Sequence, residues 1–116
     1  MNKLILLPVI LLVSCGEPST SPPVKVIVGA QLDPGHDHPR LEHSVIVILD
    51  GKFLAVGPQA STPVPKGSEM ISGRGKLVTP SPSTALIAPG EPADLVLRNA
   101  TTNSAERAMH NGEWLK

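Results

Sequence analysis

The dipeptide Asp50-Gly51, set between two apolar runs, constrains the fold of this chain more than any other feature. The run before it, His43–Leu49, is rich in β-branched residues, and the run Lys52–Gly57 follows it. Asp-Gly between two such runs is typical of a type I′ hairpin, in which both turn positions need a positive φ. We therefore predict two antiparallel strands joined by a tight turn and ended by Gly57-Pro58.

Short apolar runs separated by turn residues continue along the rest of the chain. The 116 residues include 13 prolines and 10 glycines, which disfavours long helices, and only two aromatic side chains, so the core must consist of Val, Ile and Leu. Further strands are predicted at Val24–Ala30, Glu69–Ser72, Lys76–Val78, Asp94–Arg98, Ala105–His110 and Glu113–Leu115. The pattern predicts an all-β domain of about seven short strands, folded as a small β-sandwich or a flattened barrel.

Several glycines and short polar residues are predicted to serve as scaffold. Asn111-Gly112 has the composition of a second primed turn, between the last two strands. Asp94 is expected to fix a turn or accept hydrogen bonds from backbone amides rather than act as a base. The residues assigned turn or scaffold roles are Asp50, Gly51, Gly57, Gly90, Asp94, Asn111 and Gly112.

The N-terminal segment has the organisation of an export signal. Lys3 precedes Leu4–Val13, ten apolar residues by count, whereas a bilayer span needs roughly 17–25. The run suits a signal-peptide core, and Leu12-Val13-Ser14-Cys15 resembles the lipobox of bacterial lipoproteins. We expect residues 1–14 to be removed and the Cys15 thiol to carry a diacylglycerol. The alternative is a buried strand that ends in an ordinary cysteine.

This interpretation predicts a membrane-anchored protein of the bacterial cell envelope. Residues 15–23 are rich in Pro and Ser and are expected to form a flexible tether to a domain over 24–116. Gly16 rather than Asp follows Cys15, which in a Gram-negative bacterium favours the periplasmic side of the outer membrane. The ten basic and ten acidic residues balance, so nothing in the charge favours a nucleic-acid partner.

Two blocks of the sequence carry a family resemblance. The first runs from Val28-Gly29-Ala30 through the Asp50-Gly51 hairpin to Gly75-Lys76-Leu77-Val78-Thr79-Pro80. The second runs from Ala88-Pro89-Gly90-Glu91-Pro92-Ala93-Asp94 to Met109-His110-Asn111-Gly112-Glu113-Trp114. In this order they resemble the amidohydrolase superfamily, particularly its imidazolonepropionase-like members. The resemblance implies one composite β-domain built from residues 24–80 and 88–116.

The catalytic part of that family has no counterpart in this chain. In the family a (β/α)₈ barrel of about 250 residues lies between the two blocks, whereas here only a few Pro- and Ser-rich residues separate Pro80 from Ala88. The family's His-x-His metal pair would follow Thr79-Pro80, where this chain has Ser81-Pro82-Ser83. We therefore assign no catalytic residue and no cofactor.

One cluster outside the resemblance has metal-ligand chemistry. His36 and His38 flank Asp37 in the predicted loop between the first two strands. In an extended loop the two imidazoles would point to the same side, and such groups bind Zn²⁺ or Cu²⁺. A metal site needs three or four converging ligands, however, so a solvated polar loop is the favoured interpretation and these two histidines are the weak candidates.

Two hypotheses about function remain open, and a third possibility concerns how the sequence arose. The favoured hypothesis is a lipid-anchored, non-catalytic β-domain that serves as a binding or interaction module, or persists as a truncated remnant. Loss of the barrel would uncover an apolar surface, which predicts a homodimer or an envelope-protein partner. The alternative is a component of an amidohydrolase acting on non-peptide C–N bonds, completed in trans by a separate barrel chain. A deletion product is the third possibility.

Overall fold

The computed structural model describes residues 23–115. The predicted signal peptide 1–14, the lipidation site Cys15 and all of the tether except Pro23 lie outside this range. The described part consists of eight strands: β1 (Lys25–Leu32), β2 (Leu41–Leu49), β3 (Lys52–Pro58), β4 (Glu69–Ser72), β5 (Lys76–Pro80), β6 (Leu95–Asn99), β7 (Ala105–His110) and β8 (Glu113–Trp114). The all-β prediction is confirmed. Between Pro23 and Leu115 no helix is long and apolar enough to cross a membrane.

The strands form one mixed sheet in the order β3-β2-β1-β5-β6-β7-β8, with β4 also paired to β1. Neighbours in the order β3-β2-β1 are antiparallel, as are those in the order β5-β6-β7-β8. Strand β1 joins the two groups, because it pairs in parallel first with β4 and then with β5. One central strand thus holds both halves of the sheet.

Strand β1 changes partner at a β-bulge. The register with β2 shifts between Val28 and Ala30, and Gly29 has a φ of 89°. Gly29 suits this position because residues with a side chain rarely adopt a positive φ. Gly73 allows the close approach that follows, since a Cβ at Gly73 would stand 2.5 Å from the Cβ of Ala30. The bulge and this close contact let β4 end and β5 begin beside the same strand.

Both predicted primed turns have the expected backbone. Asp50 and Gly51 have φ values of 54° and 80° between β2 and β3. Asn111 and Gly112 have φ values of 48° and 82° between β7 and β8. Such turns match the twist of the strands that they join.

The main core lies on one face of the sheet, which we call the inner face, and includes two residues of the segment between β5 and β6. Those two are Ile87, 2% exposed, and Ala93, fully buried. The buried members of this core are Ile27, Ala30, Leu32, Ile46, Ile48, Phe53, Val78, Ile87, Ala93, Leu95, Leu97 and Met109. Val, Ile and Leu make up most of this set, as predicted, and Phe53, Met109 and two alanines complete it.

The outer face of the sheet carries a second, smaller buried cluster. Val26, Val45 and Val47 form it, so β2 is buried on both faces. Residues 59–68 connect β3 to β4 and must cross the sheet, because β2 and β1 lie between those strands. Gly57 pairs with Val45, and a Cβ at Gly57 would collide with Thr62 Oγ1. The connection therefore passes over the outer face, which we call the crossover side.

Candidate functional site

The two sequence blocks meet directly along β5 and β6. These strands are antiparallel over their whole length, from Lys76 opposite Asn99 to Pro80 opposite Leu95. Strand β5 ends the first block and β6 lies in the second, so backbone hydrogen bonds span the point at which the resemblance places a barrel. The pairing makes one continuous sheet from both blocks.

The segment 81–94, which links β5 to β6, packs into the domain. We call it the junction segment. The Ile87 amide donates to Pro34 O at 3.0 Å, and the Ala85 amide donates to Pro82 O at 2.8 Å. The Ile87 side chain reaches the main core. The Pro- and Ser-rich stretch between the two sequence blocks therefore contributes to the core.

The end of the junction segment closes the sheet against the β2–β3 hairpin. The Phe53 amide donates to Glu91 O at 3.0 Å, and the Gly90 amide donates to Phe53 O at 2.8 Å. The Ala93 amide donates to Gly51 O at 2.9 Å, and the Gly112 amide donates to Ala93 O at 3.0 Å. Three of the predicted scaffold glycines, from distant parts of the chain, thus meet at one seam.

Asp94 fixes the second primed turn at the same seam. Its Oδ1 accepts a 2.7 Å hydrogen bond from the Asn111 amide and lies 3.1 Å from His110 Nδ1. The carboxylate therefore holds the β7–β8 turn against the start of β6.

Ser81-Pro82-Ser83, at the position of the family's metal pair, follows β5 directly. These residues line a shallow depression of about 450 Å³ that also includes Asp33, Arg40 and Arg98. The Asp33 carboxylate lies 3.6 Å from the Arg40 guanidinium group, and hydroxyls and guanidinium groups are poor ligands for a divalent cation. Within residues 23–115, no group of three or more His, Cys, Asp or Glu side chains is placed to hold a metal ion.

The loop that contains His36 and His38 is not extended. His36 and Asp37 have φ values of 51° and 62°, so the two-residue alternation assumed for an extended loop does not apply. His36 Nε2 lies 2.6 Å from Thr84 O, and His38 Nδ1 lies 3.1 Å from Gly35 O. His36 thus connects the β1–β2 loop to the junction segment, a contact between backbone and imidazole rather than a shared ligand set.

A separate depression of about 610 Å³ lies on the crossover side beside the β1 bulge. We call it the bulge pocket; its lining is Val28, Gly29, His43, Gln59, Met70, Ile71, Ser72, Arg74 and Gly75. The register of strand pairing explains why several of these residues lie together. Val28 is opposite Val45 on β2 and opposite Ser72 on β4, and Met70 is opposite Val26. Paired residues share a face, so Val28, Met70 and Ser72 all lie on the crossover side.

Two short connections place polar side chains at the rim of the bulge pocket. The Gln59 amide donates to His43 O at 2.9 Å, which holds the start of the crossover beside β2. The Gly73 amide donates to Val28 O at 2.8 Å, which holds the turn before β5 beside β1. A Cβ at Gly29 would stand 3.5 Å from Arg74 Cγ and 3.9 Å from Gln59 Oε1. The missing side chain of the bulge glycine thus leaves the space between these two residues.

The bulge pocket was not found by sequence reasoning. The sequence pattern predicts no functional role for Arg74, Gln59 or Met70. The available signal was Gly29, an isolated glycine in a β-branched run, which is typical of a bulge. That signal locates the bulge but not the residues that three other segments bring to it.

Comparisons with known proteins give a partial structural likeness. No family model matches the chain, and no curated protein matches it. The chain is similar to a putative prolidase from Bifidobacterium longum of known crystal structure, with 24% identity and a TM-score of 0.46. The likeness covers 52% of this chain and 15% of the prolidase chain.

Proposed function

We propose that this protein is a lipid-anchored, non-catalytic β-domain that serves as a binding or interaction module of the bacterial cell envelope. The observation that carries the proposal is the packed junction segment. Ile87 is 2% exposed in the main core, and Gly90, Glu91 and Ala93 hydrogen-bond to the β2–β3 hairpin. A barrel inserted at this point would have to replace these contacts.

The packed junction also bears on completion by a second chain. A barrel supplied in trans would have to contact the domain where residues 81–94 now lie, or displace them. Displacement would expose Ile87 and break the hydrogen bonds of the Phe53 and Ala93 amides. Each buried apolar side chain and each satisfied amide adds to the free-energy cost of that opening. A domain that functions without a barrel is therefore better supported than an amidohydrolase component completed in trans.

The first experiment addresses catalysis and partners. The full chain is expressed with its own leader in its native host, purified in mild detergent, and examined for stoichiometric metal, for hydrolysis of an amide and cyclic-imide panel, and for co-purifying chains. We expect no hydrolysis and no barrel-sized partner. A co-purifying barrel protein that carries zinc and hydrolyses a member of the panel would overturn the proposal in favour of an amidohydrolase completed in trans.

The second experiment addresses the anchor. Cells that produce the chain are labelled with radioactive palmitate, and the labelling is compared between the natural sequence and Cys15→Ala. We expect label in the natural protein and none in the variant, because only the Cys15 thiol is proposed to carry the lipid. Equal label in both, or label in neither, would contradict lipid anchoring at Cys15.

A further inference from the structure

The bulge pocket combines an apolar floor with a rim of hydrogen-bond donors. Val28 and Met70 supply the floor, and Met70 is 61% exposed. His43, Gln59, Ser72 and Arg74 supply the rim. A thioether and a β-branched side chain bind apolar groups, whereas guanidinium, imidazole, carboxamide and hydroxyl groups can all donate hydrogen bonds. The two kinds of surface lie side by side.

The bulge pocket has positive charge from Arg74. No carboxylate is among the described residues that line it. Among the ion pairs of residues 23–115, none includes Arg74. A guanidinium group binds a carboxylate through two parallel hydrogen bonds, a geometry that a neutral amide cannot match. The pocket therefore favours a ligand with a negative end over one that is neutral or cationic.

The backbone around the pocket is fixed, whereas its rim side chains His43, Gln59, Ser72 and Arg74 are exposed. The bulge at Gly29 leaves the centre of the pocket without a side chain, and the Gly73 and Gln59 amides fix the two segments on either side. A volume of about 610 Å³ lies within the range of small-ligand sites, roughly 300–1,000 Å³. A preformed pocket loses little free energy to reorganisation when a ligand binds.

We propose that the bulge pocket binds an organic carboxylate with an adjacent apolar group, its carboxylate on Arg74 and its apolar group over Val28 and Met70. This inference rests on the proposed binding function and gives it a ligand class. An N-acylated apolar amino acid and the C-terminal residue of an apolar peptide both present this chemistry. The shared chemistry is one carboxylate and one branched alkyl group a few bonds apart.

Titration by nuclear magnetic resonance tests the proposal on the ¹⁵N-labelled full chain in detergent. The probes are N-acetyl-leucine, N-acetyl-leucinamide and acetate. We expect N-acetyl-leucine to shift the amides of Gly29, Ser72 and Arg74. The amide lacks the charge and acetate lacks the alkyl group, so each should bind at least tenfold more weakly. Equal binding of N-acetyl-leucine and its amide, or shifts confined to other regions, would overturn the assignment.

Two variants and a peptide complete the design. Arg74→Gln should raise the dissociation constant of N-acetyl-leucine at least tenfold, whereas Arg40→Gln, at a cation outside the pocket lining, should leave it unchanged. Equal effects of both would mean general charge attraction and would overturn the proposal. Tighter binding of acetyl-Ala-Ala-Leu than of N-acetyl-leucine assigns a peptide end, and equal or weaker binding assigns a free acid.

Failure of this inference is distinct from failure of the proposed function. A pocket that binds none of the carboxylate probes would remove the ligand class but leave the closed, non-catalytic domain in place. A co-purifying, zinc-containing barrel would instead remove the proposed function, whatever the pocket binds.

Discussion

At the scale of single residues, glycines decide where the sheet bends and where strands approach closely. Gly73 is the sharpest case, since a Cβ there would stand 2.5 Å from the Ala30 Cβ and 2.7 Å from the Ala30 nitrogen. We expect Gly73→Ala to lower the free energy of unfolding by about 1–3 kcal/mol, the usual cost of inserting a methyl group into a packed site. Urea denaturation measures the change.

Ser72→Ala is the matched control, because Ser72 is adjacent and exposed. Exposed substitutions of this kind change stability by no more than about 0.5 kcal/mol. Equal destabilisation by both variants would show that the Gly73–Ala30 contact is not tight.

Asp94 is the polar residue with the clearest structural role. Its Oδ1 accepts from the Asn111 amide at 2.7 Å and lies 3.1 Å from His110 Nδ1. We expect Asp94→Ala to reduce stability by about 1–3 kcal/mol, because the turn amide loses a charged acceptor. Glu42→Ala, at an exposed carboxylate of β2, is the control, and thermal unfolding compares the two. A smaller loss at Asp94 than at Glu42 would contradict the assigned role.

At the scale of elements, the strands and hairpins were predictable, but the partners of β1 were not. Periods of apolar residues and two Asx-Gly turns locate most strands to within a residue or two, because both signals are local. The parallel pairs of β1 with β4 and β5 depend on the bulge at Gly29 and on the crossover 59–68. Those are long-range features that local periodicity does not report.

The candidate site was less predictable than the fold, for the same reason. His36 and His38 were chosen from their spacing, yet positive φ values at His36 and Asp37 turn the loop away from the extended geometry. Arg74 and Gln59, by contrast, are separated along the chain. They line the same pocket only because β1 pairs with both β2 and β4. Amino-acid composition predicts neither the conformation of the His36 loop nor this strand pairing.

The junction segment gives a prediction at this scale. Ile87 is 2% exposed within the main core, so Ile87→Ala should cost about 2–5 kcal/mol, the range for removal of a buried aliphatic side chain. Leu54→Ala is the control, since Leu54 is 53% exposed and its truncation leaves no cavity. Urea denaturation of both variants makes the comparison. A loss at Ile87 no larger than at Leu54 would mean that the junction is not packed.

An ion pair across three strands predicts a pH dependence. Lys76 on β5 donates a hydrogen bond to Glu106 on β7, and this bond lowers the pKa of Glu106 below its ordinary value. A carboxyl group whose pKa is lowered by folding stabilises the protein above the unfolded pKa, about 4.3 for Glu. That contribution is lost as the pH falls through the lower, folded pKa.

The comparison of wild type with Glu106→Gln measures this contribution. We expect the wild type to be the more stable near neutral pH and the difference to vanish in a descending acid series. Glu69→Gln is the control, at an exposed strand carboxylate. A stability difference between wild type and Glu106→Gln that persisted unchanged into acid would contradict the predicted direction.

At the scale of the whole molecule, the central claim is that both sequence blocks fold as one domain without a barrel between them. The claim depends on the β5–β6 pairing, on Ile87 in the shared core, and on the hydrogen bonds of residues 90–93. If it holds, the two blocks should unfold together, because the main core takes buried residues from both of them. If it fails, the C-terminal strands β6–β8 should separate first.

Trp114 provides the most direct test. It is the only tryptophan of the chain, it packs against the main core, and Arg107 stacks on its ring at 4.0 Å. Its fluorescence therefore reports the C-terminal block, while far-ultraviolet circular dichroism reports all strands. Urea denaturation of the full chain should give the same midpoint by both probes. A fluorescence transition at clearly lower urea would show that the two blocks do not form one domain.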